Sequence, residues 1–147
     1  MLAREQLPFA TGKVRFSDRD GTIWDSEEPR ILVRVKAEPD SESFLAVVDT
    51  AAPWCILRPG SDPNLRRNLE PLNLQVILST RLGRFRGDLY RGELTIFADD
   101  GEPLTVDATI FLSPDWQGPN FIGYSGLLQR IRFAVDPAKN LFYFGPL

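Results

Sequence analysis

Apolar and polar residues alternate with a period of two in several short segments of this chain. The clearest segment is 104–112, in which Leu, Val, Ala, Ile and Leu occupy every second position. Residues 31–36, 94–98 and 131–135 show the same alternation. This period is typical of strands that bury one face, because successive side chains of a strand point to opposite sides. We therefore predict an all-β fold of short strands, arranged as a small barrel or sandwich.

Turn-forming residues separate these segments. Asp99-Asp100-Gly101-Glu102 lies between two alternating segments and predicts a hairpin. Residues 136–140 (Asp-Pro-Ala-Lys-Asn) predict a turn into a last strand over residues 141–144. The 147 residues fit one domain. We expect an N-terminal arm over residues 1–12 and a single domain over residues 13–147.

Helix signals are few and short. Ser61 is the expected cap of a turn that brings Leu65 and Leu69 to one side. Ser125 is the expected N-cap of a short C-terminal helix from Gly126 to about Arg130. Neither segment is long enough to change the all-β assignment.

The chain has no histidine and one cysteine, Cys55. These counts exclude Ser-His-Asp and Cys-His catalysis, His-ligated metal sites, an intrachain disulfide and Cys-cluster metal sites. No phosphate-cradling glycine motif occurs. We expect no metal and no cofactor, and we interpret Cys55 as a small buried apolar residue. The remaining chemistry is that of carboxylates, hydroxyls, lysine or the backbone.

The charge balance argues against two classes of partner. There are 17 Lys and Arg against 20 Asp and Glu, a net charge of −3, which does not favour nucleic acid or an anionic membrane. No apolar run approaches the roughly 18 residues of a membrane span. Arg4 and Glu5 stand where a signal peptide would be apolar. We expect a cytoplasmic protein that binds neither nucleic acid nor membrane.

An apolar segment, Phe44-Leu-Ala-Val-Val, ends in a carboxylate at Asp49. Thr50, Ala51 and Ala52 follow it. Burying a carboxylate is costly unless it is hydrogen-bonded. Two interpretations stay open on these residues alone: Asp49 starts a turn and accepts a backbone N–H, or it is a functional group. The pattern of a second segment, 120–128, predicts a short buried strand that is broken by Gly123 and followed by the start of a helix.

Together the two segments resemble the retropepsin-like aspartic proteases. That family carries two apolar residues, Asp, Thr or Ser, Gly and usually Ala, and residues 47–52 (Val-Val-Asp-Thr-Ala-Ala) match at every position but one. Residues 121–123 (Phe-Ile-Gly) resemble the family's second hallmark, which supports the active-site loop. Residues 131–144 resemble its closing strands. The resemblance spans about residues 30–145.

This resemblance implies a small closed β-barrel of the retropepsin type, with a flap hairpin around residues 78–87 and one short C-terminal helix. It implies that Asp49 is catalytic and that the hydroxyl of Thr50 ties two active-site loops together. The remaining implied residues form two groups: those that bind substrate are Ala51, Ala52, Thr80, Leu82, Gly83 and Phe85, and those that support the site are Ile122 and Gly123.

Peptide hydrolysis by this route needs two carboxylates that share one proton. The chain offers a single Asp-Thr pair with apolar flanks, so the second Asp49 would come from a second copy. The resemblance therefore implies an aspartic endopeptidase that acts as a homodimer on a peptide or protein substrate.

The sequence departs from the family at two places. Ala51 replaces the family's Gly, and Tyr124-Ser125 replaces a charged residue that often braces the dimer. A catalytically silent dimerisation or peptide-binding module on the same scaffold is the alternative.

Arginines crowd the expected flap at positions 81, 84, 86 and 91. We favour a solvated hairpin, whose charges keep an exposed edge from pairing, over a nucleic-acid patch. Selection of acidic substrate side chains is a third interpretation.

Overall fold

The computed structural model of the chain describes residues 9–15 and 30–147, and its regular structure is almost entirely β-strand. The all-β prediction is confirmed. In chain order the strands are β1 (Gly12–Arg15), β2 (Leu32–Ala37), β3 (Phe44–Asp49), β4 (Cys55–Ile56), β5 (Glu70–Thr80), β6 (Gly83–Ile96), β7 (Asp100–Gly101), β8 (Leu104–Leu112), β9 (Phe121–Gly123), β10 (Ile131–Asp136) and β11 (Leu141–Pro146).

Six strands close into a barrel. They follow the order β2-β3-β9-β4-β8-β6, and β6 pairs back with β2 through Val35↔Ile96 and Ala37↔Leu94. Closure leaves none of these six strands as a free edge, which protects the barrel from unwanted pairing. The predicted hairpin between 94–98 and 104–112 forms the antiparallel β6–β8 pair.

A second sheet of four strands has the order β10-β11-β1-β7. The predicted turn at 136–140 joins β10 to β11, which pair in antiparallel fashion. Of the predicted N-terminal arm, residues 1–8 lie outside the described residues. Its last residues are part of this sheet: the Thr11 N–H donates to the Phe144 carbonyl at 3.0 Å, and Gly12 pairs with Phe144.

The main core fills the barrel, and β8 shows how the alternation produces it. Val106, Ala108 and Ile110 are buried in that core, as predicted for a half-buried strand. Phe111 points to the other side of the strand and is also fully buried. It belongs to a second apolar cluster, which lies beneath the hairpin formed by β5 and β6, named here the long hairpin.

The predicted helices are replaced by 3₁₀ turns at Pro59–Ser61, Arg66–Asn68 and Leu128–Arg130. Within the described ranges, no helix has the length and apolar character needed to cross a membrane.

The Ser61 cap does not form. The buried carboxylate of Asp62 instead accepts the backbone N–H groups of Glu42 and Asn64. Leu65 and Leu69 are buried, as that turn predicted.

Ser125 caps no helix, because the backbone around it is bound elsewhere. The Gly126 N–H donates to the Pro53 carbonyl at 3.0 Å, and Leu127 has a non-helical backbone. Leu127 and Leu128 nevertheless face the core. The retropepsin-type C-terminal helix is therefore reduced to the single 3₁₀ turn that precedes β10.

Candidate active site

Asp49 is the last residue of β3, next to β9 in the barrel. The two strands run parallel, and Asp49 pairs with Gly123. Its side chain is half-buried, and Oδ1 accepts the Ala51 N–H at 2.9 Å. The Ala52 N–H donates to the Asp49 carbonyl at 3.2 Å and closes the turn. The turn interpretation of Asp49 thus describes its local hydrogen bonds, and the bond from the Ala51 N–H orients the carboxylate.

Residues 123–126 brace the loop after Asp49. The Tyr124 N–H donates to the Ala52 carbonyl at 2.7 Å. A Cβ built on Gly123 would overlap the Trp54 carbonyl and lie 2.9 Å from the Ala52 carbonyl oxygen. Only glycine lets the two backbone segments approach this closely. Ile122 is fully buried in the core behind them.

A cleft of about 810 Å³ lies between this loop and the tip of the long hairpin. Five of the predicted site residues line it: Asp49, Ala51, Ala52, Thr80 and Leu82. The topology therefore brings the Asp-Thr-Ala-Ala segment and the expected flap to the same cavity, although about 30 residues separate them in the chain.

The other five predicted residues do not line the cleft. Thr50 is exposed, and its hydroxyl has no hydrogen-bond partner among the described residues. Gly83 is the first residue of β6, directly after the hairpin turn, and its φ of 127° suits glycine. Phe85 packs edge-on against Trp116, with ring centroids 5.1 Å apart. Ile122 and Gly123 are buried beneath the site.

The hydroxyl of Thr80 stabilises the turn of the long hairpin. Thr80 and Gly83 pair, which leaves Arg81 and Leu82 as the two turn residues. The Leu82 N–H donates to Thr80 Oγ1 at 3.1 Å, and the same hydroxyl donates to the Gly83 carbonyl at 3.1 Å. The side chain of Leu82 is 71% exposed at the tip. Thr80 therefore fixes which residues the hairpin presents to the cleft.

Sequence reasoning missed much of the cleft wall. Ile56, Trp116 and Phe121 supply apolar wall, and Arg30 and Arg81 supply charge. Nothing local in the sequence links Trp116 with Asp49, because only the strand order β3-β9-β4-β8 brings them together. Leu78 also lines the cleft, and it could have been found from its alternation with Thr80 on the same strand.

Cys55 follows the Asp49 loop but takes no part in its chemistry. Burial raises the pKa of its thiol to about 12, while the Gly123 backbone and the charge of Arg130 oppose part of this effect. The thiol is therefore protonated at neutral pH, which agrees with its interpretation as a buried apolar residue. No group of His, Cys, Asp and Glu suited to a metal ion occurs within residues 9–15 and 30–147.

No protein-family model matches the chain, and no curated protein matches it. A solved structure does match: a retropepsin-like aspartic protease from Rickettsia conorii, with a TM-score of 0.53. The superposition covers 90% of this chain and 98% of that one. The fold is retropepsin-like. Sequence identity is 15%, so the shared property is the retropepsin-like architecture itself.

Proposed function

We propose that the chain is an aspartic endopeptidase that works as a homodimer. The observation that carries this proposal is the position of Asp49 in a retropepsin-like barrel. Its carboxylate is fixed by the Ala51 N–H and lines a cleft that the long hairpin overhangs. A fixed carboxylate in a large cleft beside a covering hairpin supplies one of the two acidic groups that water activation on a bound peptide requires.

The chemistry needs a second carboxylate, and Asp49 is the only Asp or Glu that lines the cleft among the described residues. A two-fold axis would bring Asp49 of a second copy beside it. Two adjacent carboxylates hold one proton between them, because like charges so close do not both ionise. The ionised carboxylate takes a proton from water, and the protonated one polarises the scissile carbonyl.

Thr50 fits a positioning role in this dimer. Its side chain is exposed, and its hydroxyl has no partner within the described part of the chain. Thr50 is adjacent to Asp49, so a contact between Thr50 and the second copy would fix the position of the Asp49 carboxylate relative to its counterpart. In this role Thr50 holds the geometry of the pair and transfers no proton.

The substrate is an extended peptide. An extended chain can pair its backbone with the long hairpin by strand addition and place alternate side chains in the cleft. Ile56, Trp116 and Phe121 give that cleft an apolar wall, suited to a large apolar side chain. In this function the long hairpin is the flap.

A catalytically silent peptide-binding module is the second candidate, and Ala51 is the observation that favours it. The Ala51 methyl is exposed at the cleft, where it reduces the space for a substrate backbone. The backbone itself does not require glycine there, since the non-glycine residues with positive φ in the described ranges are Asn73 and Asn140. The methyl group therefore affects substrate fit rather than the loop's own conformation.

The test is cleavage of a denatured protein substrate by the wild type, by Asp49→Asn and by Asp88→Asn. Asp88 is exposed on the long hairpin, so its variant is the matched control. We expect cleavage by the wild type and the control and none by Asp49→Asn. Equal cleavage by all three would disprove the Asp49 mechanism. Peptide binding without cleavage by any of them would favour the silent module.

A further inference from the structure

Three arginines lie near the tip of the long hairpin: Arg81, Arg84 and Arg86. Their guanidinium groups are exposed and have no ion pair or hydrogen bond among the described residues. Four arginines farther from this tip bind acceptors of the protein itself; these are Arg58, Arg67, Arg91 and Arg130. Within the described part of the chain, the tip of the long hairpin therefore carries three cations that no protein acceptor binds.

Only one of these three arginines lines the cleft. Arg84 and Arg86 alternate with the inward-facing Phe85 and Gly87, so they point to the outer face of the hairpin. Arg81 is in the two-residue turn and lines the cleft together with Asp49. The Thr80 hydroxyl bonds fix that turn, so the backbone that carries Arg81 is preorganised.

The chain carries a net charge of −3, but the cleft of the proposed dimer has the opposite balance between two of its charged residues. Arg81 and Asp49 both line the cleft. In the proposed dimer the two Asp49 carboxylates share a proton and carry one negative charge between them, against two copies of Arg81. Much of the remaining wall is apolar, which strengthens the attraction of an arginine for a carboxylate.

We infer that Arg81 makes the cleft selective for peptides with an acidic side chain close to a large apolar one. The inference rests on the proposed function, because it assumes that an extended peptide occupies this cleft. The apolar wall at Trp116 and Phe121 accepts the apolar side chain. Arg81, at the tip above it, pairs with a Glu or Asp of the same peptide. Its planar guanidinium can form two parallel hydrogen bonds with one carboxylate.

The expected preference is modest and depends on salt. Ion pairs at exposed sites strengthen binding by at most about fivefold. Such pairs are screened as ionic strength rises. An acidic peptide should therefore bind about two- to fivefold more tightly than its amide counterpart at low salt, and the ratio should approach one near 1 M NaCl.

The experiment measures fluorescence anisotropy of two labelled peptides that differ only by Glu against Gln beside a Phe. The protein is the full chain carrying Asp49→Asn, so that binding is read without cleavage. In this background Arg81→Gln is compared with Arg86→Gln, which removes the same charge from the outer face of the same hairpin. We expect the Glu/Gln affinity ratio to fall to about one with Arg81→Gln and to persist with Arg86→Gln. The Gln peptide should bind all proteins alike.

Four results would overturn the inference. Binding of both peptides with no Glu preference in the parent protein would leave the proposed function standing and reject the role of Arg81. Equal loss of preference with Arg81→Gln and Arg86→Gln would assign the effect to overall charge. If neither peptide binds, the peptide cleft is rejected and the proposed function with it. The same holds if a single-stranded oligonucleotide displaces the Glu peptide and an excess of unlabelled Glu peptide does not.

Discussion

Asp49 and Gly123 are partners in the parallel ladder between β3 and β9. This pairing joins the loop that carries the carboxylate to the segment 123–126, which binds the carbonyls of Ala52 and Pro53. The position of the carboxylate is therefore set by backbone hydrogen bonds of the barrel. Such support gives a site more rigidity than a free loop would.

Replacing Gly123 by alanine tests this support. The new methyl group would overlap the Trp54 carbonyl, so the loop after Asp49 must shift. We expect Gly123→Ala to lower the free energy of unfolding by about 2–3 kcal/mol. The measurement is urea denaturation followed by tryptophan fluorescence. Gly60→Ala is the control, because a Cβ at Gly60 meets nothing within 4 Å. Equal stability of the two variants would contradict the bracing role of Gly123.

Much of the fold could be predicted from sequence, because strand alternation reflects burial directly. The segment 104–112 became β8, and its alternating residues entered the core. The caps at Ser61 and Ser125 could not be predicted reliably, since a cap depends on which backbone N–H groups remain unbound in the folded chain. At both places the observed hydrogen bonds join residues distant in sequence. The carboxylate of Asp62 accepts the Glu42 N–H, and the Gly126 N–H donates to the Pro53 carbonyl.

The candidate site divides in the same way. The family resemblance predicts Asp49, Ala51 and Thr80 as site residues, and all three line one cleft. It also predicts Phe85 as a substrate-binding residue; in the structure Phe85 packs on Trp116, because β-strand alternation turns it toward the apolar cluster beneath the hairpin. The contribution of Trp116 to the cleft depends on strand order, which no local pattern specifies.

Oligomeric state is the next testable property. If Asp49 acts with Asp49 of a second copy, the chain should have twice the mass of one chain in dilute neutral solution. Light scattering coupled to gel filtration measures this directly. We expect Thr50→Arg to shift the population toward monomer, because it places charge and bulk beside the expected two-fold axis. A wild-type monomer at every accessible concentration would contradict the homodimeric enzyme and leave the fold unaffected.

The buried thiol of Cys55 predicts how stability depends on alkaline pH. Its pKa is raised from 9.0 to about 12 in the folded chain, so the folded state holds its proton more tightly than the unfolded state. This stabilisation is present below about pH 9 and is lost as pH rises toward 12. The difference in unfolding free energy between the wild type and Cys55→Ala should shrink by roughly 2 kcal/mol from pH 9 to 10.5.

Urea denaturation of both proteins at each pH measures that difference, with Cys55→Ala as the reference for every other titrating group. A pH-independent difference would contradict the raised pKa. The rate of labelling by a thiol reagent is a second measurement of the burial of Cys55. The reagent should label the native protein slowly at pH 8 and the urea-unfolded protein at once.

Tyr143 carries a buried hydroxyl without a partner. The residue is 2% exposed in β11, and its phenolic oxygen makes no hydrogen bond among the described residues. Leaving such a group unsatisfied is unfavourable, so removing it should not destabilise the fold. We expect Tyr143→Phe to leave the unfolding free energy unchanged or to raise it by up to about 1 kcal/mol. A loss of more than that in thermal unfolding would show that the hydroxyl has a partner.

Replacing Ala51 by glycine distinguishes the enzyme from the silent module. Its methyl group lines the cleft, and its backbone does not adopt positive φ, so glycine at this position gives room to a substrate without relieving strain. We expect Ala51→Gly to increase turnover of a denatured protein substrate. Stability should fall only by about 0.5–1 kcal/mol, because glycine loses more backbone freedom on folding. The double variant Asp49→Asn/Ala51→Gly is the control and should be inactive. If Ala51→Gly binds peptide more tightly yet cleaves no faster than the double variant, the methyl group restricts binding only, and the chain is a binding module.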